Sequence, residues 1–254
     1  MIYLYGLMKP DTEGAEALAA DLQGVTGPVH IAHLSHALLI YGAHGDGEIL
    51  AKRRYLLAHA HVLEAFLELG TVLPMRFGMI AQDVAAVSEV LSRQSDLLCQ
   101  EMGRLEGLIE LGVRISFDRD AALAAQLQRD PSLLAERDRL RGATAGAHFD
   151  KAEFGRKLGE ALERHRTDTQ KQLIRQIRAH VADFNVKTPD ADVEVLNAEV
   201  LLPQSALTTF SDELASLCGQ VEFGGGSEPM IRLIGPEPPY HFVKVALETA
   251  AEPA

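Results

Sequence analysis

The sequence predicts an α+β protein: two α/β domains, the N-terminal one ferredoxin-like, joined by a long helical segment. Three observations predict it. Short β-branched and aromatic runs alternate with helical repeats up to Phe117. A stretch rich in Ala, Leu, Arg and Gln, from Asp120 onward, then breaks the alternation. Strand and helix patterns return after Asp192. The expected division is 1–118 for the ferredoxin-like domain, 119–188 for a helical connector or hairpin, and 189–254 for a smaller C-terminal α/β domain.

The elements follow in order. Ile2–Leu7 reads as a buried strand, stopped by Gly6, Lys9 and Pro10. Glu13–Leu22 reads as a short helix, and Val29–His44 as two strands with a turn near Ser35. From Lys52 to Leu69, Leu56, Ala60, Leu63 and Phe66/Leu67 fall at helical spacing, with Gly70 where a C-cap glycine belongs. TVLPMRF, Thr71–Phe77, is the next strand. Val84, Val87, Leu91, Leu98, Met102 and Leu105 form one apolar helical stripe from Gln82 to Gly107, and Gly112 marks the turn into a last strand, Val113–Phe117. Such a sheet leaves its second face in need of cover.

The middle segment is interrupted at Pro131 and broken again at the small residues of Arg141–His148. A long helix is expected from Asp150 to Phe184, ended by Thr188–Pro189. Its stripe is Phe154, Leu158, Leu162, His165, Leu173, Ile177, Val181 and Phe184, and its charged opposite face suits a hairpin arm or a solvent-facing strut. Asp192–Pro203 alternates as a strand. Ser205–Cys218 reads as a helix with Ser205 as N-cap. Gly224–Gly226 is a flexible turn, Met230–Ile234 a strand, and GPEPPY, with three prolines, cannot be helical.

With 47% hydrophobic and 24% charged residues, the chain can bury a core of useful size. A net charge of −12 argues against nucleic acid and anionic membrane surfaces as partners, because both need a surplus of Lys and Arg. Cys99 and Cys218 stand far apart in sequence and imply no disulfide framework. The opening MIYLYGLMKPDTEG lacks the basic start and apolar length of a leader peptide, and no run approaches the roughly 20 apolar residues of a membrane helix. The expectation is a cytoplasmic protein.

No constellation points to catalysis. His30, His33 and His36 form HxxHxxH, but spacing of three on a strand sends alternate side chains to opposite faces, and His59 and His61 are too close in sequence to share a helix face. Solvated or core-edge histidines are expected rather than a metal site. The carboxylates Glu222, Glu228 and Glu237 sit on a polar loop without a recognisable acid–base pairing. Gly224–Ser227 lacks the pattern of a phosphate loop, and Ser205, Ser211 and Ser227 lack a nucleophile elbow. No catalytic, cofactor or metal residue is expected.

Two segments carry more information. In GPEPPYHF the prolines Pro238 and Pro239 fix the backbone, and Tyr240 and Phe242 share one side if the segment is extended, suiting a sheet terminator first and a docking edge second. In TVLPMRF, alternation places Leu73, Met75 and Phe77 on one face and Val72, Pro74 and Arg76 on the other, and Pro74 marks an edge or bulge. Arg76 is expected to be architectural, clamping carbonyls or a carboxylate at the sheet end.

Together these segments resemble the gas vesicle protein family GvpF/GvpL: Tyr3–Leu7 its opening strand, Val72–Gly78 its most specific internal motif, Leu196–Leu202 its Asn-Ala strand, carrying Asn197, and Gly235–Val243 its GPWPPYNF-type ending. Glu237 and His241 depart from that ending, where the family often has an aromatic residue and Asn. The resemblance implies a non-enzymatic accessory protein of gas vesicle formation that binds the hydrophobic shell protein GvpA as an adaptor or chaperone in early assembly, with other gas vesicle accessory proteins as further partners. It is implied to lack cofactors and to be cytoplasmic and vesicle-associated. The alternatives are a minor structural component of the vesicle wall and a small-molecule enzyme on a ferredoxin-like scaffold. Pro74, Arg76, Phe77, Asn197, Pro238, Pro239, Tyr240 and Phe242 are the partner-binding or architectural candidates.

Overall fold

A computed structural model describes residues 1–45, 47, 49–142 and 148–245. Contacts divide the chain into two units, Met1–Glu110 with Gly235–Ala254, and Leu111–Ile234. These boundaries do not coincide with the three expected segments. They fall inside two strands rather than in linkers, so the helical segment shares a unit with the strands that follow it, and the PPY segment belongs to the N-terminal unit.

The first unit begins with β1 (Ile2–Met8), buried at every position, and α1 (Ala15–Asp21). The short β2 (Gln23–Gly24) pairs with β3 (Gly27–His33), which turns at Leu34–Ala37 into β4 (Leu38–Ala43). After α2 (Arg53–Leu67), the stretch expected as a strand over Thr71–Phe77 is one only at β5 (Leu73–Pro74), and a second short strand, β6 (Ile80–Ala81), follows beyond it. The sheet order is β2-β3-β4-β1-β5, with β6 also on β1. Helices α1 and α2 between antiparallel strands complete the ferredoxin-like βαββαβ arrangement, with the VLPMRFG segment as its last strand.

The buried face of α2 carries the expected Leu63, Phe66 and Leu67 but is rotated at its start. Leu56 is exposed, and His59 is buried with Val62, Leu63, Phe66 and Leu67. These join Tyr3, Tyr5 and Met8 in the core between helices and sheet. Each large apolar side chain removed from water there contributes about 1.5–3 kcal/mol. The stripe after Gln82 is two helices, α3 (Val84–Arg93) and α4 (Ser95–Arg104), broken at Gln94. Asp83 caps α3 by accepting from the Ala86 N–H.

The turn expected at Gly112 is made earlier, at Gly107 with φ 68°, and β7 (Leu108–Ser116) therefore starts before the expected strand. In the second unit, α5 (Arg119–Arg129) and α6 (Pro131–Arg141) are separated by Asp130, which caps α6 ahead of Pro131. Residues 143–147, most of the small-residue break, lie outside the described residues. The long helix α7 (His148–Ile177) stops before Val181 and Phe184. Those residues follow a turn, and Phe184 sits on β8 (Asp183–Val186), because β8 pairs antiparallel with β9 (Glu194–Pro203) and the ladder supplies its backbone partners. The N-terminal half of α7 packs Phe154 and Leu158 onto a small core with Leu127 and Leu133. Leu173 and Ile177 further along are fully buried, so this half is core rather than strut.

Ser205 lies in a 3₁₀ turn at residues 204–206 and does not cap α8 (Leu207–Gly219), whose N-cap position is Ala206. The glycine run is a packed turn rather than a free hinge, since a Cβ on Gly224 would meet the Phe117 ring at 2.4 Å. The last strand, β10 (Met230–Glu237), runs on through Gly235 and Pro236. The second sheet has the order β10-β7-β9-β8.

Candidate functional site

The site grows from the interruption between β5 and β6. β1 pairs with both, as Gly6 opposite Pro74 and Tyr3 opposite Ile80. Five residues, Met75–Met79, therefore stand opposite only Leu4 and Tyr5, and the surplus leaves the ladder as a loop. β5 is the edge of the sheet path, as Pro74 indicates.

Buried polar groups fix this loop from within. The Met75 carbonyl can only accept, so His59 Nε2 carries the proton and donates to it at 3.1 Å. His59 Nδ1 is then an acceptor and receives the Tyr3 O–H at 2.8 Å. Tyr3 Oη in turn accepts the Gly78 N–H at 3.2 Å. Burial drives the His59 pKa down to about 4 against the Met75 hydrogen bond, which raises it, and burial raises that of Tyr3. Both side chains are thus neutral at pH 7, as the hydrogen-bond chain requires. Phe77 packs edge-on against the rings of Tyr3 and His59, at 6.2 and 5.8 Å. Arg76 alone in this loop is exposed. Among the described residues its guanidinium has no hydrogen bond and no ion pair. Among the described residues no clamp by Arg76 is seen: the loop is held by Tyr3 and His59, and the arginine is exposed.

The second wall comes from the C-terminal segment. Pro238 and Pro239 present carbonyls that accept from the Tyr240 and Phe242 N–H groups, which turns the chain. Phe242 is buried, and Tyr240 packs against the first unit's core. Three ionisable residues hold this strap. Glu110, 1% exposed, accepts the His241 N–H at 2.8 Å and pairs with the His241 ring. Arg104 grips Glu101 with two bonds of 2.7 and 2.8 Å and donates to the Phe242 carbonyl. Glu101 also accepts the Lys244 N–H at 2.6 Å. The Arg104 hydrogen bonds lead in holding the Glu101 carboxyl below the usual range, against its burial.

Between loop and strap lies an apolar groove of about 290 Å³. Leu7 and Leu73 line it from the sheet, Leu98 from α4, and Tyr240 and Val243 from the strap, with Pro74, Met75, Arg76 and Met79 along the loop side. None of the described residues lining the groove is acidic. Burial, with Glu237 and Glu64 adding to it, raises the Tyr240 pKa, so its hydroxyl stays protonated.

The structure thus brings Pro74, Arg76, Phe77, Pro238, Pro239, Tyr240 and Phe242 into one unit. Asn197 belongs to the other, where its Nδ2 donates to the Thr188 carbonyl at 3.2 Å and secures the approach to β8 and β9. Sequence reasoning took His59 for a solvated or core-edge histidine, whereas it is buried, and did not single out Glu101, Arg104 or Glu110. Two had a readable signal: His59 falls on the apolar face of α2, and Glu110 interrupts the apolar run LIELGV. Glu101 and Arg104 had none, since an i,i+3 pair on a helix is ordinarily a surface pair.

The likenesses to known proteins run the length of the chain. Gas vesicle protein F of Microcystis aeruginosa (strain PCC 7806) is 28% identical over 249 residues, covering 96% of this chain and 98% of that protein. Gas vesicle protein F of Streptomyces sp. (strain CB03234) is 25% identical, covering 95% and 99%. The crystal structure of GvpF from Microcystis aeruginosa matches with a TM-score of 0.71 at 26% identity, over 96% of this chain and 99% of that one. That of GvpF from Anabaena sp. PCC7120 matches in fold with a TM-score of 0.78 at 24% identity, over 96% and 98%. Among the described residues no helix is long and apolar enough to cross a membrane. The model of the gas vesicle synthesis protein GvpL/GvpF family matches residues 1–244, and this chain belongs to that family.

Proposed function

We propose that this protein binds the hydrophobic shell protein GvpA in the cytoplasm during early gas vesicle assembly and shields its apolar surface until it is built into the wall. The observation that supports the reading most is the groove between the Met75–Met79 loop and the C-terminal strap. It is an apolar channel on a rigidly fixed loop, lined by an arginine that has no partner among the described residues. A groove of this kind takes the apolar side chains of a client without a bond being made or broken. Docking by strand addition is disfavoured at this edge, because Pro74 has no N–H and the loop interrupts the ladder. Side-chain burial in the groove is the mechanism we infer. The net charge of −12 keeps a complex carrying so apolar a client in solution.

Co-expression with the shell protein followed by affinity pulldown tests this. The expected result is co-purification and a larger soluble fraction of shell protein. Absence of association at every salt concentration overturns the proposal. Immunolabelling and protease treatment of purified vesicles separate a chaperone from a wall component: an assembly factor is depleted from the finished particle, whereas a wall protein is retained and protected.

A further inference from the structure

The groove carries more than apolar surface, and its unused hydrogen-bonding groups identify the chemistry of what enters it. One of its lining residues has donors that nothing in the described structure satisfies, the Arg76 guanidinium. An arginine keeps its charge under all physiological conditions and offers five donors in a planar fork. In a chain with 36 acidic and 24 basic residues, a cation without an acidic partner among the described residues stands out against the prevailing charge. Lys244 lines the same groove, but its charge lies near Glu101, whose carboxylate it helps to stabilise. Among the described residues, Arg76 is therefore the cation of the groove without an acidic partner.

The placement of Arg76 is fixed. Its neighbours Met75 and Gly78 are tied through their backbones to His59 and Tyr3, and Phe77 is packed on the same two rings. The loop conformation thus holds without any contribution from the Arg76 side chain. The fixed loop spares the backbone cost of pairing and leaves only the ordering of the side chain, and arginines dominate binding energy when an apolar surround excludes water. Leu7, Leu73, Leu98 and Val243 provide that surround.

We infer that the groove recognises an aliphatic segment of the shell protein bearing one carboxylate, which Arg76 receives as an ion pair. This rests on the reading of the protein as a binder of the shell protein and adds the chemistry of the contact. It also reverses the role expected for Arg76, from architecture to recognition.

The test uses the full-length protein and the shell protein in the pulldown described above, with thermal unfolding of each variant alongside. Arg76→Ala and Arg76→Glu are expected to keep the wild-type unfolding midpoint, because the side chain has no internal partner. Capture of shell protein is expected to fall about ten-fold for Arg76→Ala and further for Arg76→Glu, with Arg76→Lys in between. Wild-type capture is expected to weaken with added salt, and capture by Arg76→Ala to respond less. A charge-reversed shell protein, with single Asp or Glu residues replaced by Lys in turn, is expected to restore capture by Arg76→Glu at one position. Unchanged capture by Arg76→Glu in a folded protein overturns this inference while leaving the proposed function standing. A fall in the unfolding midpoint that matches the loss of capture overturns it as well, because the arginine would then be architectural. Absence of capture by the wild type removes both.

Discussion

Tyr3 and His59 are each neutral, each buried, and each committed in both directions: the phenol donates to the imidazole and accepts from Gly78, while the imidazole donates to Met75. Removing the phenol oxygen by Tyr3→Phe leaves His59 Nδ1 and the Gly78 N–H without partners. The expected cost is about 1–3 kcal/mol, read as a lower urea midpoint. Protonation acts on the same chain. The folded protein holds the His59 pKa at about 4 against an ordinary 6.5, so the neutral form is the one the fold favours. Stability from this residue is complete above the ordinary pKa and declines as pH falls through that window, with about 3 kcal/mol lost once the folded form is also protonated. Urea midpoints measured from pH 7 downward are expected to trace this loss, and His59→Gln is expected to flatten it. Glu101 acts lower on the scale. Its depressed pKa stabilises the fold above the ordinary value of 4.5 and ceases to do so as acid protonates it, so the curve of the His59→Gln variant still falls there.

At the scale of elements, β1 and the strap do most to shape the groove. A Cβ on Gly6 would lie 2.9 Å from both the Leu73 carbonyl and the Leu63 side chain, so β5 approaches β1 only because this position is bare. Gly6→Ala is expected to push β5 outward and to cost about 1–3 kcal/mol, with faster hydrogen exchange at Leu73 and Met75 as the local signature. The strap depends on Phe242, 4% exposed, together with the grip of Arg104, Glu101 and Glu110. Phe242→Ala is expected to lower stability by about 3–5 kcal/mol and to open the groove wall, measured by unfolding and by loss of shell-protein capture together. The strands of the first unit were legible because turn residues and apolar runs bound them. The segment after Leu73 was legible only in part: alternation alone makes TVLPMRF one strand, and only the register against β1 reveals that its second half has no ladder to join. The long helix was overextended in the same way, since apolar spacing continues past Ile177 while the backbone partners of Phe184 come from β9.

For the whole molecule, charge and composition lead to a prediction that needs no structure. With −12 at pH 7 and a pI near 5.3, solubility of the protein and of its complex is expected to pass through a minimum close to that pI, followed by turbidity across a pH series. The sequence by itself determined the fold class, the order of most elements and, through motifs spread from Tyr3 to Val243, the family, because each of these is written in local periodicity and in residues near one another along the chain. It could not determine that Gly235–Val243 joins the N-terminal unit, that Glu101 and Glu110 serve as backbone acceptors for the strap, or that Tyr3 and His59, rather than Arg76, secure the Met75–Met79 loop. Those facts were decided by tertiary structure alone, because a hydrogen bond between residues 131 or 143 positions apart leaves no periodic trace, and whether a charge is paired depends on what the fold brings beside it.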